Sequence, residues 1–132
     1  MRFLPAWLLL GLATSAVGEP NMQFDLKCSG TAKTESQKLD GPFQRTVHVD
    51  LGSGQYCNDE CSEVRKIALV NPLKIAFEWD EASAMYLNRV TVDRRTGDYL
   101  ISQLNVGTPG KWIVGTATCS PAPFTPFPAT RF

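Results

Sequence analysis

Hydrophobic and polar residues alternate along most of the chain from residue 23 onward, a period typical of β-strands that bury one face. The clearest segment runs from Leu73 to Trp79, where apolar residues occupy every second position. A helical period is suggested only at 60–65. The pattern predicts strands over these segments: 24–29, 43–51, 56–57, 66–70, 73–79, 86–93, 99–104 and 111–119.

Turn-forming sequences separate these segments and indicate the fold class. Asp40-Gly41-Pro42 and Asn71-Pro72 are typical turns, and Gly97 suits the left-handed position of a bulged hairpin. Seven to eight short strands joined in this way predict an all-β protein with an antiparallel sheet. We expect a small closed β-barrel, with a β-sandwich as the alternative, because closure removes the exposed edges of a sheet.

The chain has four cysteines, Cys28, Cys57, Cys61 and Cys119, and an even number favours disulfides in an exported protein. Of the three possible pairings we expect Cys57 with Cys61, which share one tight loop, and Cys28 with Cys119. The second bridge would hold the first and last strands side by side. The alternative is a zinc site in the acidic loop from Cys57 to Cys61. A closed zinc site needs four good ligands, and His48 is the one histidine, so no metal is expected.

The first residues have the layout of an export signal. Arg2 supplies a positive charge, an apolar run continues to Ala13, and Ala16 and Gly18 are the small residues that a signal peptidase reads. The run is shorter than the roughly 20 apolar residues that a membrane-spanning helix needs. We therefore predict a signal peptide over 1–18, a β-barrel domain over 19–119 and a periplasmic or extracellular location. No membrane insertion is expected after cleavage.

The tail over 120–132 is rich in proline and phenylalanine. Proline at that density disfavours both a helix and a central strand. We expect a strap that lays Phe124 and Phe127 over one end of the domain, because an undocked tail is open to proteolysis. The alternative is a polyproline-type segment presented to a partner.

Composition and charge exclude some partners. The chain has 132 residues, and its 13 basic and 13 acidic residues balance. This balance favours neither nucleic acid nor an anionic membrane as a partner. The hydrophobic fraction of 43% suits one small folded domain, which we expect to be a monomer.

The sequence carries no recognisable catalytic motif. His48 and Asp50 project from one face of a predicted strand, and hydrolase triads also pair His with Asp. However, no Gly-x-Ser-x-Gly elbow, phosphate loop, dinucleotide fingerprint or calcium loop is present. We interpret His48 as part of a solvated strand face and the acid pairs Asp59-Glu60 and Asp80-Glu81 as solubilising loop residues. Neither an enzyme nor a cofactor is predicted.

The densest aromatic set in the predicted strands is the candidate ligand-binding site. It consists of Phe77, Trp79, Tyr86 and Trp112. A barrel of about eight strands either fills its interior with side chains or encloses one small ligand, and both alternatives stay open for these residues. The functional hypothesis is a non-enzymatic binding module for a small or apolar ligand. The alternative is an envelope protein-interaction module or inhibitor that uses the tail or the loop 107–111.

Several short motifs are spread along the chain from the opening strand to the tail. They are Phe24-x-Leu26-x-Cys28-x-Gly30, Val49-Asp50-Leu51, Tyr56-Cys57-x3-Cys61, Asn88-Arg89 with Arg95-Thr96-Gly97, and Cys119-x4-Phe124. Together they resemble small exported bacterial proteins of unassigned function, which implies a compact secreted β domain with paired cysteines. The opening strand is similar to that of periplasmic lysozyme inhibitors with a small β-barrel. Because Tyr56 follows Ser53-Gly54 one residue earlier than in that family, no inhibitory residues are carried over.

Overall fold

The computed structural model describes residues 22–35, 40–83, 86–105 and 112–129. The predicted signal peptide over 1–18 and the loop 107–111 lie outside these residues. The described residues form an all-β domain with antiparallel strands, as the alternation predicts. They contain no helix long and apolar enough to cross a membrane.

Nine strands form one continuous sheet. In chain order they are β1 (Gln23–Thr34), β2 (Gly41–Asp50), β3 (Gln55–Asn58), β4 (Arg65–Lys66), β5 (Leu69–Val70), β6 (Lys74–Ser83), β7 (Tyr86–Asp93), β8 (Asp98–Asn105) and β9 (Ile113–Ala122). Their order in the sheet is β4-β3-β2-β1-β9-β8-β7-β6-β5. The first and last strands are therefore neighbours at the centre of the sheet, and the whole sheet curls into a barrel-like shape.

One continuous segment of chain joins the two edges of this sheet. The edge strands β4 and β5 are separated by only two residues, Ile67 and Ala68. The Ile67 N–H donates to the carbonyl of Gly54 at 2.8 Å, and the Ala68 N–H donates to the carbonyl of Ala76 at 3.0 Å. Residues 65–70 thus hydrogen-bond to β3 at one end and to β6 at the other, which covers edges that would otherwise expose unpaired backbone groups.

Both predicted disulfides are present. Cys28 of β1 lies directly opposite Cys119 of β9 and is bonded to it, and Cys57 is bonded to Cys61. Disulfides persist in oxidising compartments, so the two bridges indicate a protein that lies outside the cytoplasm.

The core fills the concave face of the sheet. It draws on every long strand, and its most deeply buried large side chains are Tyr99, Phe77, Ile75, Ile101, Val47 and Val49. Phe43 stacks on Tyr99 with ring centroids 6.0 Å apart. The Tyr99 hydroxyl receives a hydrogen bond from the Arg45 guanidinium at 2.8 Å, which satisfies the one polar atom of this buried ring.

Gly30 lies within β1, which extends beyond the strand predicted over 24–29. A Cβ atom at Gly30 would overlap the carbonyl oxygen of Thr116 and lie 2.5 Å from the Cα of Ala117. The glycine therefore permits a close approach of β1 and β9, and β1 continues to Thr34.

Candidate functional site

The structure does not bring the four predicted aromatic residues together. Phe77 is buried in the core and packs on Tyr56, with ring centroids 4.9 Å apart. Trp79 is 48% exposed on the opposite face, where the guanidinium of Arg89 lies 4.6 Å from its ring centroid. Phe77 is therefore a core residue, and Trp79 stacks with a cation on the outside of the barrel.

A β-bulge in β6 separates Phe77 from Trp79. Ala76 pairs with Thr91 and Glu78 pairs with Val90, so Phe77 is an extra residue without a partner of its own. An extra residue reverses the faces of all that follow it in the strand. Glu78 consequently turns toward the interior and Trp79 toward the outside, although the sequence alternation predicts the reverse.

The other two predicted site residues lie toward the end of the barrel where β7 and β9 begin. Tyr86 is the first residue of β7, and its side chain lies outside the described part of the structure. Trp112 is half-buried and directly precedes β9. The aromatic set is therefore spread over both faces and one end of the sheet rather than around one pocket.

A cavity lies at the opposite end of the barrel, beside the hairpin that joins β7 to β8. Its volume is about 490 Å³. The apolar walls come from four strands, and their members are Phe24, Leu26, Ile75, Val92, Cys119 and Pro121. Asp93, Arg94, Arg95, Thr96 and Gly97 of the hairpin complete its lining. The cavity thus combines an apolar interior with a polar, charged mouth.

The hairpin at the mouth is held in one conformation. The carboxylate of Asp93 accepts hydrogen bonds from the backbone N–H groups of Arg95 at 2.8 Å and Thr96 at 3.1 Å. These bonds lower the pKa of Asp93 below its ordinary value. Gly97 has a φ of 79°, as the hairpin prediction requires, and its N–H donates to the Asp93 carbonyl at 2.9 Å.

No known family model, curated protein or solved structure matches this chain. The resemblances drawn from the sequence motifs stay predictions.

A second cluster of polar groups surrounds His48, which is buried rather than solvated. The structure leaves the residue only 7% exposed, so the sequence interpretation of this face is wrong. His48 Nδ1 lies 2.8 Å from Asp25 Oδ1, and Nε2 lies 2.7 Å from the carbonyl oxygen of Asp59. Both ring nitrogens therefore lie within hydrogen-bond distance of protein oxygen atoms, and His48 connects β1 to the loop that contains Asp59.

The loop closed by Cys57 and Cys61 covers His48. Asp59 and Cys61 adopt left-handed backbone angles, with φ values of 50° and 57°. The Asp59 N–H donates to the carbonyl of Thr46, and its side chain accepts the Thr46 N–H at 3.0 Å. Asp59 is therefore a structural residue of this loop rather than merely a solubilising one.

The C-terminal tail docks on the same cluster. Thr125 donates its backbone N–H to Asp25 Oδ1 at 3.0 Å and its hydroxyl to Oδ2 at 2.7 Å. Burial opposes the charge on Asp25, but the hydrogen bonds from Thr125 and His48 outweigh it and lower the pKa of Asp25. Phe124 and Phe127 pack edge to face with centroids 5.6 Å apart.

The tail begins three residues later than predicted, because β9 continues through Pro121 to Ala122. Pro121 pairs in register with Leu26 of β1 even though it lacks an N–H. The Cys119 N–H donates to the Gly97 carbonyl on the β8 side. The nitrogen of Pro121 faces the same side of β9, but the pairing of β9 with β8 ends at Thr118 and Asp98. Pro121 therefore has no β8 residue opposite it, and its missing N–H removes no hydrogen bond between strands.

A third polar cluster lies around Glu78 inside the barrel. Glu78 Oε1 accepts hydrogen bonds from Arg65 at 2.5 Å and from the Tyr56 hydroxyl at 3.3 Å, and Oε2 accepts one from Gln103 at 2.6 Å. Burial and the nearby carboxylate raise the pKa of Tyr56. Because Arg65 belongs to β4 and Glu78 to β6, this ion pair spans the seam between the two edges of the sheet.

Among the described residues, no three His, Cys, Asp or Glu side chains are grouped as metal ligands. Both cysteines of the acidic loop are in a disulfide, so they are not thiolate ligands.

The candidate site is therefore the cavity beside the β7–β8 hairpin, which the sequence argument missed. Its walls use ordinary strand residues, such as Leu26 and Val92, that only the pairing of distant strands brings together. The one local signal was the turn at 94–97, which marked the hairpin but not the cavity beneath it.

Proposed function

We propose that this protein is a non-enzymatic binding module for a small ligand with an apolar body, and that it acts in the periplasm or outside the cell. The observation that carries the proposal is the cavity of about 490 Å³ with apolar walls and a polar mouth. Ligand sites of proteins are typically mostly apolar concavities of about 300–1,000 Å³ with a few placed polar groups.

The construction of the walls supports this proposal. Leu26, Ile75 and Val92 belong to the buried core, so their positions are fixed by packing on both sides. Cys119 is tied to β1 by its disulfide. A cavity with such walls is largely formed before a ligand enters, which limits the entropy lost on binding.

Titration with a neutral apolar fluorophore, N-phenylnaphthylamine, tests the proposal on the purified oxidised protein. We expect saturable fluorescence enhancement with wild type and its loss in Val92→Phe, which fills the cavity with a larger side chain. Val114→Phe is the matched control, because Val114 is 44% exposed and does not line the cavity.

Pro121→Trp provides a second way to fill the cavity without overpacking the core, since Pro121 is an exposed lining residue. Thermal melts of all variants show which of them are folded. Binding that is undiminished in folded Val92→Phe and Pro121→Trp, or absent from wild type, would contradict the proposed site.

A further inference from the structure

The mouth of the cavity carries two guanidinium groups, from Arg94 and Arg95. The guanidinium of Arg94 donates a hydrogen bond from Nη1 to the carbonyl of Asn71 at 2.9 Å, and both arginines are exposed. A guanidinium has five N–H donors in a planar fork that matches a carboxylate or phosphate. Arg94 therefore retains donors beyond the bond that fixes its side chain.

Asp93, the one acidic residue in the lining, already makes hydrogen bonds within the hairpin. Oδ1 of Asp93 accepts two backbone N–H groups, and Oδ2 lies 3.6 Å from Nη2 of Arg95. The lining thus holds two positive side chains and one negative side chain. Because the carboxylate of Asp93 is hydrogen-bonded to the backbone of the turn, the net charge at the mouth is positive.

The hairpin also holds the backbone of both arginines in a fixed position beside the cavity. The backbone N–H of Arg94 donates to the carbonyl of Leu73 at 2.9 Å, and the carbonyl of Gly97 accepts the N–H of Cys119 at 2.8 Å. The turn is therefore anchored to β9 on one side and to the turn before β6 on the other. Both side chains consequently leave the backbone from positions that are set before a ligand arrives, which limits the ordering that binding requires.

We propose that the ligand of this cavity is a single-chain amphiphile with an anionic head group, whose apolar chain enters the cavity and whose head is bound by Arg94 and Arg95. This inference rests on the proposed function, because it assigns the chemistry of the same site. Carboxylate and phosphate heads share the property on which recognition depends, a negative charge with oxygen acceptors.

Isothermal titration of the oxidised protein with four probes of equal chain length tests this ligand class. The probes are dodecanoate, dodecyl phosphate, dodecanol and dodecyltrimethylammonium, each below its micelle concentration. We expect at least one anionic probe to bind about tenfold or more tightly than dodecanol, since a hydrogen bond to a charged group has that magnitude. The cationic probe should bind more weakly than the alcohol.

The double variant Arg94→Gln/Arg95→Gln should abolish this preference, so that the anionic probes bind no more tightly than dodecanol. The matched control is the double variant Lys27→Gln/Lys66→Gln, which removes the same charge from exposed residues that do not line the cavity. It should keep the preference, which separates local recognition from the net charge of the protein.

These measurements distinguish failure of anion recognition from failure of the proposed binding function. Equal affinity for dodecanol and both anionic probes, or a preference that survives in the double arginine variant, would overturn anion recognition while leaving the apolar cavity as the binding site. Absence of binding by all four probes would overturn the proposed function itself and this inference with it.

Discussion

Asp25 shows how one residue connects a strand, a loop and the tail. It accepts hydrogen bonds from Thr125 and contacts His48, which in turn contacts Asp59 of the disulfide loop. Asp25 is only 3% exposed, so the charge on its carboxylate is stable only while these donors remain. Its role is to attach the tail to the outer face of the barrel.

The lowered pKa of Asp25 predicts a contribution to acid sensitivity. Since the folded-state pKa lies below the ordinary value of 3.8, the ionised form stabilises the fold above about pH 4. This contribution is lost as the pH falls through the lowered pKa. We expect Asp25→Asn to destabilise the protein by about 2 kcal/mol at pH 7 and by less at pH 3.

Urea unfolding at the two pH values measures this difference. Asp80→Asn is the control, because Asp80 is exposed and should change stability little at either pH. An equal loss of stability at pH 7 and pH 3 in Asp25→Asn would show that the charge is not what the site requires.

At the level of elements, the pairing of β1 with β9 organises the sheet. These strands come from opposite ends of the described chain, and the bridge between Cys28 and Cys119 joins residues 91 positions apart. The bridge between Cys57 and Cys61 spans only 4 positions. In the chain-entropy model, a disulfide stabilises a protein more when it closes a longer loop.

Removal of the two bridges should therefore have unequal effects. We expect Cys28→Ala/Cys119→Ala to lose about 4.5 kcal/mol of unfolding free energy and Cys57→Ala/Cys61→Ala to lose about 2 kcal/mol. Chemical denaturation at neutral pH gives both values. A larger loss for the short loop would show that the packing of His48 beneath it matters more than chain entropy.

At the level of the whole molecule, the segment 65–70 determines whether the sheet has free edges. Its Ile67 N–H bonds to Gly54, directly before β3, and its Ala68 N–H bonds to Ala76 of β6. The ion pair of Arg65 with Glu78 crosses the same seam. Because edge strands β4 and β5 have two residues each, little else pairs at this point. The seam is therefore the part of the barrel most easily opened by a local change.

Ala68→Pro tests whether residues 65–70 hold the seam closed, because proline removes the N–H that bonds to Ala76. We expect a loss of about 1–3 kcal/mol, because the carbonyl of the buried Ala76 loses its donor, and faster hydrogen exchange at the Ile67 amide. Ala68→Ser keeps the backbone donor at the same position and should behave like wild type. Unchanged exchange at Ile67 in the proline variant would mean that the seam is held by other contacts.

The sequence by itself determined the strand-rich class and the hairpin at 94–97, and it favoured one of three possible cysteine pairings, which the structure then confirmed. Alternation and turn residues are consequences of local backbone geometry, so a short window of sequence is enough to reveal them. The even number of cysteines favoured two disulfides, and the short spacing of Cys57 and Cys61 favoured a bridge between them.

Only the tertiary structure decided which side chains share a site. The bulge at Phe77 sends Trp79 outward, and His48 is buried between Asp25 and the disulfide loop, although the residues around each are typical of the opposite arrangement. The cavity likewise depends on strands that are distant in sequence. Such features follow from the register of non-local pairs, in which a shift of one residue exchanges the two faces of a strand, and no local pattern encodes that register.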